Sequence, residues 1–210
     1  METDTYLTLK NNSESSHKER GSKFLGFAYP VKDEEDVKEK LGHLRKKYHD
    51  AHHHCYAYLL GKDHVVYRAN DDGEPNHSAG DPILGQIKSF ELTQVLIVVV
   101  RYFGGTKLGV GGLIQAYRQA ALETILANEI VEAVETLRLS FNFEYPDMNE
   151  IMKITKDEGL EIIQQKFEIT CSMTLNIRKS SMEQIKARLS NIASVTFSNH
   201  GEVPPDSLLL

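Results

Sequence analysis

The residues best suited to chemistry fall in three short segments. The first is Arg101-Tyr102-Phe103-Gly104-Gly105-Thr106-Lys107-Leu108-Gly109-Val110-Gly111-Gly112, where five of the nine positions from Gly104 to Gly112 are glycine. Glycine has no Cβ, so backbone N–H groups in such a run can turn toward a ligand, and the start of a following helix favours an anion. Arg101, Lys107 and Arg118 are the cations between Thr93 and Leu122, a stretch without an acid, so the segment is locally positive as well as rich in donors. It lacks the Walker A pattern, and Ile114 occupies the last glycine position of a dinucleotide fingerprint. The candidate contacts to an anion, nucleic acid or partner are Arg101, Tyr102, Gly104, Gly105, Lys107, Gly109, Gly111, Gly112 and Arg118. A tight turn at positive φ, with close helix-on-strand packing, accounts for some of the same glycines.

The second segment is the acidic loop Asp71-Asp72-Gly73-Glu74-Pro75, continuing through Asn76-His77-Ser78-Ala79-Gly80-Asp81-Pro82. Three carboxylates in four positions have the chemistry to hold Mg²⁺ or to pair with Arg101 or Lys107. Counting back from Gly73 as the sixth position of an EF-hand loop puts Arg68 where a carboxylate is required, so this is not an EF-hand. An Asp-Gly turn with its acids in water is the simpler reading. The third segment contains His49, His52, His53, His54 and Cys55. On a strand, His52 and His54 share one face with Tyr56 and Tyr58 while His53 and Cys55 share the other; the two alternating imidazoles can both ligate a transition metal, but they do not make a complete ligand set. His53 and Cys55 are expected to face the core, with His54 reaching a loop carbonyl or carboxylate; a thiol in a strand interior is more often a small hydrophobe than a nucleophile.

Alternating apolar residues predict strands over Tyr6–Lys10, Lys23–Val31, His52–Leu60 and Val65–Ala69. The run Val95–Val100 inside Thr93–Phe103 predicts a doubly buried central strand. Helical spacing places Val37, Leu41, Leu44 and Tyr48 on one face after Asp33, Ile83, Leu84, Ile87 and Phe90 after Pro82, and Ile114, Tyr117, Ala121 and Ile125 after the glycines. The order is ββαββαβα. The pattern restarts near residues 131–135 as βαββαβ, the split-βαβ arrangement. There Leu137–Tyr145 alternates, Pro146 opens a helix with Met148, Ile151, Met152 and Thr155 inward, and Leu160–Lys166 and Phe167–Ile177 are strands. Ser180 and Glu183 form a capping box, and Val195–Ser198 is the last strand. We therefore expect an α+β chain with domains at 1–132 and 136–203.

The 210 residues carry 24 Lys+Arg and 30 Asp+Glu, a net charge of −6, so any nucleic-acid contact has to come from a local patch. Residues 1–132 hold 16 basic and 19 acidic residues and residues 133–210 hold 8 and 11, so neither domain is a basic module. Two separated cysteines fit a reducing cytoplasm, and no signal peptide or membrane-length apolar run is visible.

The ordered matches His54-Cys55-Tyr56-Ala57-Tyr58, Asp71-Asp72-Gly73-Glu74-Pro75 with Ala79-Gly80 and Pro82, Val98 to Gly105, Leu108-Gly109, Gly111-Gly112-Leu113 and Ala116-Tyr117 resemble the YigZ/IMPACT family, bacterial two-domain branch. The resemblance implies a first domain of the ribosomal protein S5 domain 2-like type and a ferredoxin-like second domain. It also implies a cytoplasmic, non-enzymatic, translation-associated protein whose partner is RNA or a ribosomal or translation protein, with no membrane, no DNA preference and no cofactor. Asn76-His77-Ser78 stands where the family commonly has a small residue, Gly and Thr. Two rival readings remain: a Mg²⁺-dependent phosphate-ester or phosphoryl-transfer enzyme using Asp71, Asp72 and Glu74 beside the glycine turn, and a protein-interaction module without a small ligand.

Overall fold

The computed structural model describes residues 4–62 and 66–198. The chain divides into two compact units, one covering residues 6–133, the other running from Val134 and taking in Asp4 and Thr5.

The first unit comprises β1 (Thr5–Leu9), β2 (Ser13–Glu19), β3 (Ser22–Pro30), α1 (Glu34–Lys47), β4 (His53–Leu60), β5 (Val66–Asn70), α2 (Gly80–Ser89), β6 (Val95–Tyr102), α3 (Gly109–Leu126) and β7 (Ile130–Val134). Its main sheet has the order β2-β3-β6-β4-β5 with every neighbouring pair antiparallel, while β1 and β7 form a separate two-stranded sheet. Val37, Leu41 and Leu44 of α1 pack on Phe27, Tyr56, Tyr58 and Val98 on one face. Helices α2 and α3 cover the other, against Phe24, Cys55, Ala57, Ile97 and Val99. Both faces of β6 are therefore covered, and Val95 to Val100 are fully buried, which explains a strand that is apolar at every position rather than alternating. Asp33 caps α1 as its spacing predicts, its carboxylate accepting from the amides of Glu35 and Asp36.

Two strands differ from expectation. β2, Ser-Glu-Ser-Ser-His-Lys-Glu, carries no apolar residue, yet pairs with β3 from Ser13–Ala28 to Glu19–Ser22. It packs through hydroxyls: Ser13 Oγ donates to Thr124 O at 2.8 Å, and Ser15 Oγ lies 2.6 Å from Thr124 Oγ1. α3 comes so close that a Cβ on Gly26 would fall 1.9 Å from Thr124 Oγ1, so only small side chains fit beneath it. β7 lies where the pattern was read as a boundary. The expected strand from Val65 is seen from Val66, Val65 itself lying outside the described residues.

The second unit comprises β8 (Thr136–Phe143), α4 (Met148–Asp157), β9 (Glu161–Lys166), β10 (Cys171–Arg178), α5 (Met182–Ser190) and β11 (Thr196–Phe197). Its sheet has the order β11-β8-β10-β9, the antiparallel split-βαβ topology. Leu139, Phe141, Phe143, Cys171, Met173, Leu175 and Ile177 face the helices, while Ser140, Asn142, Ser172 and Thr174 alternate onto the open face. The α+β class thus holds across both units. Three local expectations are corrected. Phe167 and Ile169 precede β10 and are 48% and 101% exposed, because Glu168 to Thr170 form the connection from β9. Met152 is exposed and Ile154 takes the inward position. Ser180 makes no capping box; its amide donates at 3.1 Å to each carboxylate oxygen of Asp4, and its hydroxyl donates to the same carboxylate.

Candidate functional site

The register of β3, β6 and β4 puts Phe24, Arg101 and His53 side by side, with Cys55 one step inward beside Val99. All face α2 and α3. Tyr117, fully buried on α3, and Glu74, from the loop after β5, close over this row. Arg101 Nη1 donates to Glu74 Oε1 at 2.5 Å, and Tyr117 donates to the same oxygen at 2.8 Å. Cys55 Sγ lies 3.0 Å from Asp71 O and 3.3 Å from Tyr117 Oη, one thiol proton facing two acceptors. The Tyr117 ring meets Phe24 edge-on at 5.1 Å. Burial pushes the Cys55 thiol and the Tyr117 hydroxyl far up, the neighbouring Glu74 carboxylate adding to both, so each stays neutral at physiological pH. Cys55 is therefore a packed, neutral thiol.

The acidic loop is held by its own carboxylates. Asp71 accepts from the amides of Ala79 (2.9 Å) and Gly80 (2.8 Å) at the start of α2 and from His77 N (2.9 Å). Asp72 accepts from His54 N at 2.7 Å and from Arg45 at 3.2 Å. Asp72 and Gly73 both have positive φ, with Glu74 N donating to Asp71 O at 2.9 Å, so the Asp-Gly turn is present. The three carboxylates point to three different sets of donors, and among the described residues no group of three His, Cys, Asp or Glu side chains is placed to hold a metal. His53 and Cys55 lie on the core face as expected, and His54 reaches the loop carboxylate of Asp72, its Nδ1 3.9 Å from Asp72 Oδ2. His53 Nδ1 lies 2.8 Å from Asp72 O and, facing a carbonyl, carries its proton there. The His54 ring is buried on the α1 side, and burial lowers its pKa against the opposing pull of Asp72.

The loop and the glycine turn do converge, but through a buried pair. Arg101 is only 6% exposed, so it is not the free cation its sequence position suggested; it fastens the acidic loop to the sheet. Tyr102 points to the other face and donates to Asp50 at 2.7 Å, which raises its hydroxyl to about 12. The turn itself, Phe103 to Lys107, is exposed. Gly104 fixes its base: its amide donates to Ser22 Oγ at 3.2 Å, and a Cβ there would fall 1.9 Å from the carbonyl carbon of Gly21. Gly21 and Arg20, both at positive φ, make the two-residue hairpin tip of β2–β3. Gly105 and Gly109 also adopt positive φ, which side chains resist. No hydrogen bond among the described residues engages the amides of Gly105, Thr106 and Lys107, and the N-terminus of α3 has no side-chain cap and no acid in its first turn. Gly111 is exposed in that first turn and Gly112 half-buried. Lys107 and Arg118 are exposed, with no ion pair among the described residues; Arg118 lies about 13 Å further along α3 at 1.5 Å per residue. Ser22 and Phe24, which lie beside Arg101, are parts of this site that motif reading does not single out. Only cross-strand register, invisible before folding, groups them with His53 and Arg101.

These features define an α+β protein with a covered antiparallel sheet, a glycine turn at the end of its central strand and a split-βαβ second unit. Residues 20–125 match the family model described as the Impact N-terminal domain, and the chain belongs to the IMPACT family. It is 27% identical to an IMPACT family member of Haemophilus influenzae over 90% of this chain and 93% of that protein. It is 38% identical to the IMPACT family member YvyE of Bacillus subtilis over 61% of this chain and 59% of YvyE. A crystal structure described as that of a hypothetical protein matches in fold with a TM-score of 0.71, at 23% identity, over 93% of this chain and 97% of its own. No helix of the described residues is long and apolar enough to cross a membrane.

Proposed function

We propose that this protein is a translation-associated regulator that binds RNA through the exposed turn Phe103–Lys107 and the start of α3. Membership of the IMPACT family supports the translational setting. The observation that carries the RNA reading is a solvent-facing run of backbone donors without partners among the described residues, anchored by Gly104 and bordered by Lys107 in a stretch without acids. Anchored amides at a helix start bind phosphate with little ordering cost. Arg101 enters this reading as the residue that positions the turn; Lys107 and Arg118 make the charge contacts.

Binding of ribosomal RNA to the intact chain, measured across a salt series, tests the reading. Lys107→Ala should weaken binding and lower the log–log salt slope by about 0.7 for a single-strand phosphate contact. An unchanged slope removes Lys107 from the interface. Loss of ribosome association on nuclease treatment supports RNA, whereas nuclease-resistant capture by one protein supports the interaction-module reading.

A further inference from the structure

We propose that Phe103 is a stacking platform for an unpaired base, so that the turn takes single-stranded RNA in preference to duplex; this rests on the glycine turn being an RNA site. Phe103 is 52% exposed at the end of β6, immediately before the turn. The Arg101 guanidinium lies 5.7 Å from the Phe103 ring centre and 5.5 Å from that of Phe24, so it contacts both rings while Glu74 fixes its position. Arg101 is buried and its Nε has no hydrogen-bond partner among the described residues. A desolvated ion pair with an unmet donor is a poor source of stability compared with apolar packing. Its geometric effect is plainer: it steadies a half-exposed aromatic ring two residues from the open amide of Gly105 and four from Lys107.

An aromatic face beside phosphate-binding amides and a cation is the arrangement that suits an unpaired nucleotide, the base on the ring and its phosphate on the backbone. Bases inside a duplex already have both faces occupied by their neighbours. The open sheet face of the second unit offers no such ring, since Ser140, Asn142, Ser172 and Thr174 supply hydroxyls and amides.

The test is fluorescence anisotropy with a single-stranded RNA of about ten nucleotides, its duplex, and an abasic strand of the same length, using the intact wild-type chain and the Phe103→Ala, Phe103→Tyr and Lys107→Ala variants. The wild type should bind the single strand more tightly than either other probe. Phe103→Ala should lose about 5- to 140-fold on the single strand and Phe103→Tyr less than about 3-fold, as expected for one stacked base. Lys107→Ala should lose affinity for the abasic strand as well. If Phe103→Ala binds like the wild type, or the duplex or abasic strand binds equally well, the platform is overturned. A retained Lys107 effect would then leave the phosphate reading standing. If no probe binds, both fail.

Discussion

The two sheets of this protein treat polar residues in opposite ways. In the first unit helices cover both faces, and on the side of α2 and α3 Arg101 of β6 is sealed in and has to be met by Glu74, Ser22 and the rings of Phe24 and Phe103. In the second unit one face is open, and Ser140 and Thr174 pair across β8 and β10 at 2.9 Å beside solvent. The difference teaches that a charge in the covered sheet is a structural commitment, whereas polar residues on the open one are interchangeable.

The sharpest way to break that comparison is Glu74→Ala. It leaves Arg101 buried without a counter-charge and should cost on the order of 3–5 kcal/mol by urea unfolding. The double variant Glu74→Leu with Arg101→Met should recover most of it, and if it does not, the pair contributes more than neutralisation. Next is Gly104→Ala, whose Cβ would meet the Gly21 backbone; about 1–3 kcal/mol of destabilisation is expected. Gly111→Ala has open space and is expected to be neutral, or stabilising by up to about 1 kcal/mol.

A pH titration sharpens the contrast further. Because burial lowers the folded pKa of His54 from 6.5, its contribution is complete above that value and is lost as pH falls toward the folded pKa, the unfolded chain binding the proton first. The acid limb of the stability curve should therefore steepen by at most about 1.4 kcal/mol per pH unit from this residue, and His54→Gln should flatten it. The smallest effect belongs to the open face, where Ser140→Ala should change stability by no more than about 0.5 kcal/mol.

The same contrast explains what could be read before folding. Val95–Val100 is legible because two covered faces demand apolar residues at every step, and Leu139, Phe141 and Phe143 because one covered face demands them at every second step. β2 was hidden because α3 approaches the sheet at Gly26 too closely for large side chains, leaving serines where a pattern search looks for valines. Phe167 and Ile169 misled in the reverse sense: they continue the alternation of β10 but belong to its connection. At the site, the glycine turn and acidic loop were visible as motifs, and their convergence was foreseen as one possibility. That Arg101 is consumed in joining them could not be seen, because it depends on Glu74 reaching across from a loop 27 residues away.

The hold of Asp4 on Ser180 carries a temporal consequence. The two residues are 176 apart, so at about 5–20 residues per second a nascent chain exposes the aspartate for roughly 9–35 s before its hydroxyl partner is polymerised. The second unit cannot be completed from its own stretch of message. Replacing Asp4 by alanine should therefore register as a weakened entry to α5, 176 residues further along the chain.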